Sequence, residues 1–256
     1  MHVVAAILAS ALAVTLVVVL PLTSPAAYRR YTRRLQSDPG ARLGCYARIM
    51  ARNWAVAAAV VGIGLLAGRS ARSIGLPAYP GGANLGLVAA VLTVSAAAVA
   101  LAVAATRHRS PAHDDLLLTQ LRRAISLLPV SGRERAGYAA LSLTAGICEE
   151  LVFRGFAVAY VRWLWPGAPW AWLIVVTSVP FGLGHLYQGA GGGVVTGVLG
   201  ALFCLTTLAT GTLLPAMIMH AAIDLRNLAV PRELVRRAAA AQQAGVGADQ
   251  APPVPT

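Results

Sequence analysis

The sequence predicts an all-α fold, a polytopic bundle of about seven transmembrane helices. Hydrophobic residues make up 57% of the chain and charged residues 12%, and the mean hydropathy is +0.68. A soluble globular domain of this length is much less apolar. The apolar residues also form runs close to the ~20 residues that a helix needs to cross ~30 Å of hydrocarbon. We therefore expect an integral membrane protein whose first partner is the lipid bilayer.

Three apolar runs in the first part of the chain predict an N-terminal three-span region, residues 1–110. The first run, Val3 to Leu22, has no basic residue before it, and arginines follow it. These features favour an uncleaved span with its N-terminus outside over a signal peptide. Asn53 to Gly68 and Ala83 to Thr106 are the second and third predicted spans.

The loops between these spans alternate in arginine content. Seven arginines and one acid, Asp38, lie between the first two spans, and only Arg69 and Arg72 lie between the second and third. Six arginines then follow between the third span and residue 136. Cytoplasmic loops of membrane proteins collect basic residues, so the alternation fits an external N-terminus. Topology also accounts for the formal net charge of +12, and we expect no nucleic acid partner.

A segment between the two halves mixes charges with leucines. In Pro111 to Leu128 the apolar residues recur at helical spacings between acidic and arginine pairs. Such a segment is typical of an amphipathic helix lying flat on a membrane surface. We expect residues 111–135 to form a cytoplasmic interfacial helix and linker.

The second half, residues 136–229, predicts a core of four further spans. They are roughly Ala136 to Trp163, Ala168 to Leu186, Gly192 to Ala209 and Leu213 to Leu228. Seven crossings place the C-terminus in the cytoplasm, where another group of arginines lies. The tail, residues 230–256, lacks aromatics and has no periodicity after its alanines, so we expect it to be disordered.

The acids and histidines inside the predicted spans are confined to this second half. They are Glu149, Glu150, His185, His220 and Asp224, and Arg154 is the one basic residue deep in a span. Each would cost ~2.5 to 3.5 kcal/mol at a helix centre, so we expect them to face one another in a polar cavity. Structural ion pairs that lock helices together are the alternative, most of all for residues 150 and 154.

Helical spacing suggests how these groups pair. Glu150 and Arg154 are four residues apart, as are His220 and Asp224, and each pair shares a helix face. Glu149 points about 100° away from Glu150. Glu149 is thereby left to face the other helices.

This set of side chains suits the attack of water on an amide. A carboxylate in a low-dielectric cavity can act as a general base, and an imidazole can orient the same water. Glu149 with His185 is therefore a candidate pair for activating water. His220 with Asp224 is a candidate pair for stabilising charge on a carbonyl oxygen.

Two alternatives stay open on the residues alone. Glu149, His185 and His220 could bind a divalent metal such as zinc with an open position for water. No HExxH motif is present, and ligands on three helices leave no spacing signature, so metal-dependent and metal-free hydrolysis are both possible. A proton-coupled transporter or channel is a second alternative, because the same residue types form proton relays.

Three motifs resemble those of the CAAX protease and bacteriocin-processing (CPBP) family of intramembrane proteases, which includes the type II CAAX prenyl endopeptidases. EELVFRG at 149–155, FGLGH at 181–185 and HAAID at 220–224 resemble the EExxxR, FxxxH and HxxxN/D motifs. The resemblance covers roughly Ala139 to Leu228. It implies an intramembrane endopeptidase, in a bacterial cell membrane, that cleaves a membrane-associated or lipidated peptide or protein.

The resemblance also implies roles for single residues. Glu149 would activate water with His185, and Glu150 with Arg154 would complete the first motif. The family is described as metalloproteases, although a glutamate-dependent, metal-free mechanism has been argued for some members. Other members serve in bacteriocin immunity or as scaffolds, which adds a non-catalytic role to the alternatives.

The remaining motif residues have implied roles as well. His220 and Asp224 would line the same cavity and stabilise the oxyanion. Many members have Asn at the second of these positions, and an ionised Asp is a poorer donor, so Asp224 would be protonated or paired with His220. Phe181 would pack one turn before His185.

Overall fold

A computed structural model of the chain describes residues 2–38, 40–74, 76, 83–105 and 125–249. All regular structure within these ranges is helical. The predicted all-α membrane bundle is therefore confirmed. Most of the predicted interfacial helix, Pro111 to Leu128, lies outside the described residues; its last part forms a 3₁₀ turn, Ile125–Leu127.

The described helices of the N-terminal region are α1 (His2–Val14), α2 (Leu20–Ser37), α3 (Ala41–Leu66) and α4 (Leu85–Ala105). A π-helical turn, Thr15–Val19, joins α1 and α2 into one continuous helix. That helix therefore runs well past Leu22, where the first predicted span ended. Helix α3 likewise begins before the second predicted span, so both helices extend from the apolar runs into the arginine-rich segment.

The second half has the helices α5 (Gly132–Glu150), α6 (Ala157–Leu164), α7 (Trp170–Gly184), α8 (Gly189–Thr210) and α9 (Leu214–Leu225). A second π-helical turn, Leu151–Phe156, links α5 to α6. Short 3₁₀ turns lie at Ala71–Ile74, Leu186–Gln188 and Arg226–Ala229.

Among the described residues, three helical stretches are long and apolar enough to cross a membrane. They are Val3–Leu35, Ala41–Leu66 and Leu186–Thr210, and two shorter apolar helices cover Leu85–Leu101 and Trp170–Gly184. Many large apolar side chains point outward, as lipid-facing residues do, for example Leu65, Leu101 and Val194. The number of crossings, about seven, stays a prediction.

The tail does not start as the disordered segment that we expected. Arg232–Asp249 forms a further helix, α10. Leu234 and Val235 near its start are buried in an apolar cluster with Tyr46 and Tyr138. This apolar pair lies ahead of the alanines from which disorder was expected, and its burial accounts for the helix. Residues 250–256 lie outside the described residues.

The core of the bundle surrounds the π-helical turn between α5 and α6. All six residues of Leu151–Phe156 are buried, and residues of α1, α3 and α7 pack against them. Glycines let neighbouring helices approach closely: a Cβ at Gly146 of α5 would lie 2.8 Å from the carbonyl oxygen of Met217 in α9. Small residues at helix contacts are typical of membrane bundles. The close packing brings the ends of α5, α7 and α9 together.

The start of α5 is fixed by a buried ion pair. Arg42 of α3 donates from Nη1 to Oε1 of Glu134 at 3.0 Å, and Ser131 caps the helix in a capping box with the same glutamate. Burial would raise the pKa of Glu134, but the backbone N–H groups of Val130 and Ser131 and the Arg42 guanidinium together lower it.

Candidate active site

Four helical elements carry the six ionisable side chains singled out above. Glu149 and Glu150 are the last residues of α5, and Arg154 lies in the π-helical turn that follows. His185 directly follows α7, and α9 carries His220 and Asp224. Single π-helical turns occur often at functional sites, where they reorient side chains without breaking the helix.

Glu150 is the best-buried acid of the site. Its side chain is 0% exposed, and Oε1 accepts from Arg154 Nη1 at 2.9 Å and from His220 Nδ1 at 2.8 Å. The predicted pairing of Glu150 with Arg154 is confirmed. Among the described residues, Oε2 of Glu150 is buried and has no hydrogen-bond partner. One carboxylate oxygen thus joins the first and third motifs.

Aromatic rings surround the Arg154 guanidinium. Its central carbon lies 4.3 Å from the ring centroid of Phe181, 5.5 Å from that of Phe203 and 5.8 Å from that of Phe153. Such contacts stabilise a buried cation. Phe181, expected as a packing residue, is therefore also part of the cage around Arg154. A Cβ at Gly200 would lie 2.7 Å from Nη2 of Arg154, so α8 leaves space for the guanidinium only because this residue is glycine.

His220 contacts an acid on each side of its ring. Nε2 lies 3.8 Å from Oδ2 of Asp224, within ion-pair range but beyond hydrogen-bond distance, and Nδ1 lies 2.8 Å from Oε1 of Glu150. The second contact was not predicted, and the close approach of α5 and α9 brings the histidine within reach of the glutamate. The ring of His220 stacks on Phe203, with centroids 5.2 Å apart and planes at 15°.

His185 has one ring nitrogen engaged and one available. Nδ1 lies 2.8 Å from the backbone oxygen of Phe181. A carbonyl oxygen only accepts, so Nδ1 carries the proton and Nε2 of the neutral ring is an acceptor. The partly buried ring also packs against Phe181 and Tyr187, at centroid distances of 4.8 Å and 5.7 Å.

Glu149 faces the N-terminal region as well as the other site residues. Its Oε1 accepts from Nδ2 of Asn53 in α3 at 3.3 Å, and Oε2 accepts no hydrogen bond from the described residues. Asp224 lies within electrostatic range of Glu149, His185 and His220, so the four side chains share one region of the molecule.

Asn53 is not among the site residues that the sequence predicts, because it is uncharged and lies at the boundary of the second predicted span. An uncharged amide next to an apolar run was the one available signal. Its partner lies 96 residues away, a separation at which spacing carries no information.

The predicted metal ligands, Glu149, His185 and His220, stay a prediction. Within the part of the chain that the structure describes, no three His, Cys, Asp or Glu side chains form a group that could hold a metal ion. Nδ1 of His185 and Nδ1 of His220 are both engaged by oxygen acceptors. A histidine that binds a metal through one ring nitrogen commonly donates the other N–H to a carboxylate or a backbone carbonyl, so these contacts are compatible with a metal ion as well as with a water molecule at Nε2.

Residues 133–226 match the family model described as type II CAAX prenyl endopeptidase Rce1-like. The match begins at the start of α5 and ends just after α9, so it contains all six ionisable residues and leaves out Asn53. No curated protein and no solved structure matches the chain.

Proposed function

Because residues 133–226 belong to the Rce1-like type II CAAX prenyl endopeptidases, within the CPBP family, we propose that the chain is an intramembrane endopeptidase that cleaves a membrane-associated or lipidated substrate. The observation that carries the proposal is the cluster of Glu149, His185, His220 and Asp224 on three helices. Packing alone does not require such a cluster, because buried polar groups in a membrane bundle are costly.

In the proposed reaction, Glu149 is the general base. A water molecule lies between Oε2 of Glu149 and Nε2 of His185, and both atoms accept its hydrogens. Glu149 takes one proton as the water oxygen attacks the carbonyl carbon of the scissile peptide bond. The protonated Glu149 then gives this proton to the leaving amine nitrogen, so the products are a carboxylic acid and an amine.

His220 stabilises the negative oxygen of the tetrahedral intermediate, and Asp224 supports the charged form of His220. Both ring nitrogens of His220 face acids, Glu150 at Nδ1 and Asp224 near Nε2, an environment that favours the imidazolium with N–H groups on both sides. The Nε2–H group is the donor to the oxyanion. Nη1 of Arg154 donates to the same Oε1 atom of Glu150 that contacts His220, and the guanidinium balances the charge of this carboxylate.

The substrate is expected to reach the site from the bilayer. The helices around the site are apolar on their outer faces, so a lipid-anchored peptide can approach laterally. We place the protein in a bacterial cell membrane with its C-terminus in the cytoplasm, in agreement with the arginine-rich segments after the first and third spans.

The first test is cleavage of a panel of quenched lipopeptides by purified protein in detergent micelles. Glu149→Gln is expected to lower kcat about 1000-fold, within the range of general-base catalysis, and to leave the thermal unfolding temperature unchanged. The matched control is Glu233→Gln, because Glu233 is an exposed glutamate of α10 paired with Arg237 at 3.0 Å. Equal cleavage by wild type and Glu149→Gln would remove the proposed base.

A further inference from the structure

Asn53 is a buried amide in the N-terminal region, only 7% exposed. Its Nδ2 donates to Oε1 of Glu149, and its Oδ1 lies 3.4 Å from Nη2 of Arg52. A carboxylate only accepts and a guanidinium only donates, so these two partners fix which end of the amide faces Glu149. Asn53 lies outside residues 133–226, the segment matched by the family model.

Contacts between α3 and α5 hold Asn53 and Glu149 in register. The two helices run side by side in the same direction, from Arg42 against Glu134 to Asn53 against Glu149. Between these pairs, a Cβ at Gly137 of α5 would lie 3.0 Å from a side-chain carbon of Leu43, so the helices touch there too. The hydrogen bond at Glu149 is therefore one of several successive contacts along the helix pair.

We propose that Asn53 is a positioning residue for Glu149, an inference that rests on the proposed function. A glutamate side chain has several rotatable bonds, and either of its oxygens can turn toward a water molecule. The Asn53 donor occupies Oε1 and thereby directs Oε2 to the water. Residues outside the matched segment then take part in the reaction through α3.

The kinetic test compares Asn53→Leu and Asn53→Asp with wild type. Both variants remove the donor, and the aspartate keeps the size of the asparagine but puts a second acceptor against Glu149. Both are expected to lower kcat about 10- to 100-fold, the range for a hydrogen bond to a charged group, with KM unchanged. Aspartate is the second variant in case leucine prevents folding, which size-exclusion chromatography will report.

The matched control is Tyr160→Phe. The hydroxyl of Tyr160 in α6 donates to Oγ of Ser10 in α1 at 2.9 Å, so this variant also removes a hydrogen bond between the N-terminal region and the second half of the chain. It does not touch Glu149, and its kcat is expected to equal that of wild type. A similar fall in kcat in Tyr160→Phe would show that loss of any hydrogen bond between the two halves has the same effect. It would overturn the specific role of Asn53.

A second readout does not need activity. The infrared carboxylate band of Glu149, identified by its loss in Glu149→Gln, is expected to shift in Asn53→Leu and to stay in place in Tyr160→Phe. If the band shifts in Asn53→Leu but wild type cleaves no lipopeptide, the hydrogen bond between Asn53 and Glu149 stands and the proposed function is rejected. An unchanged band, or an active wild type with unchanged kcat in both Asn53 variants, would overturn the inference.

Discussion

Helix α5 carries buried acids near both of its ends, and the two ends hold them in different ways. Near the start, Glu134 accepts from Arg42 at one oxygen and from two backbone N–H groups at the other. Near the end, Glu149 and Glu150 each keep one oxygen that accepts no hydrogen bond from the described residues. At one end of the helix, both oxygens of the carboxylate accept hydrogen bonds. At the other end, each of the two carboxylates has only one oxygen that does so.

The difference separates a structural role from a chemical one. A buried carboxylate that accepts hydrogen bonds from the protein at both oxygens is held in one orientation and has little capacity left for a substrate or a water molecule. A buried oxygen without a donor costs free energy, so its persistence in a folded protein requires an explanation. Oε2 of Glu150 is such a buried oxygen. Glu149 is only partly buried, so its Oε2 is accessible to the proposed catalytic water.

Glu150 should give the largest stability effect of these acids. Glu150→Leu removes the carboxylate that faces both Arg154 and His220, and is expected to lower the free energy of unfolding by about 3 to 5 kcal/mol. Titration with SDS in mixed micelles, followed by circular dichroism, measures this change.

The control for this variant is Glu134→Gln at the other end of α5. Glutamine keeps an acceptor for the backbone N–H groups, and a smaller loss of about 1 to 3 kcal/mol is expected, together with full cleavage activity. Equal losses in the two variants would contradict the distinction between the two ends.

The sequence was informative where contacts are local. The pairing of Glu150 with Arg154 followed from four-residue spacing, and the helical class followed from composition. The contacts of His220 with Glu150 and of Asn53 with Glu149 could not be predicted, because both depend on how helices far apart in the chain pack. The tail helix was missed because its folding depends on burial of Leu234 and Val235 against other segments.

Gly200 tests whether the site depends on the fit of Arg154. In Gly200→Ala the new methyl group would meet Nη2 of Arg154 at 2.7 Å and the ring of Phe181 at 3.0 Å, which forces the cage to shift. The expected loss of unfolding free energy is about 1 to 3 kcal/mol, accompanied by lower kcat.

Gly191 provides the matched control on the same helix, α8. A Cβ at this position has no atom within 4 Å, so Gly191→Ala is expected to raise stability by up to about 1 kcal/mol through helix propensity, with unchanged cleavage. The same SDS titration compares both variants. A stable and fully active Gly200→Ala would mean that Arg154 does not need its present position.

The smallest expected effect is the pH dependence of the unfolding free energy that comes from Glu134 near the start of α5. The pKa of Glu134 is lower in the folded protein than in the unfolded chain, where it is about 4.3 to 4.5. Its contribution to stability is therefore complete above the unfolded pKa and is lost as the pH falls through the folded pKa. Wild type should lose unfolding free energy on acidification below about pH 4.5 more steeply than Glu134→Gln, which has no carboxylate to protonate at this position. The unfolding free energies of the two proteins are measured by SDS titration between pH 3 and 7. If they change in parallel with pH, the Arg42–Glu134 pair does not anchor α5, and Glu134 has no structural role to contrast with Glu149 and Glu150.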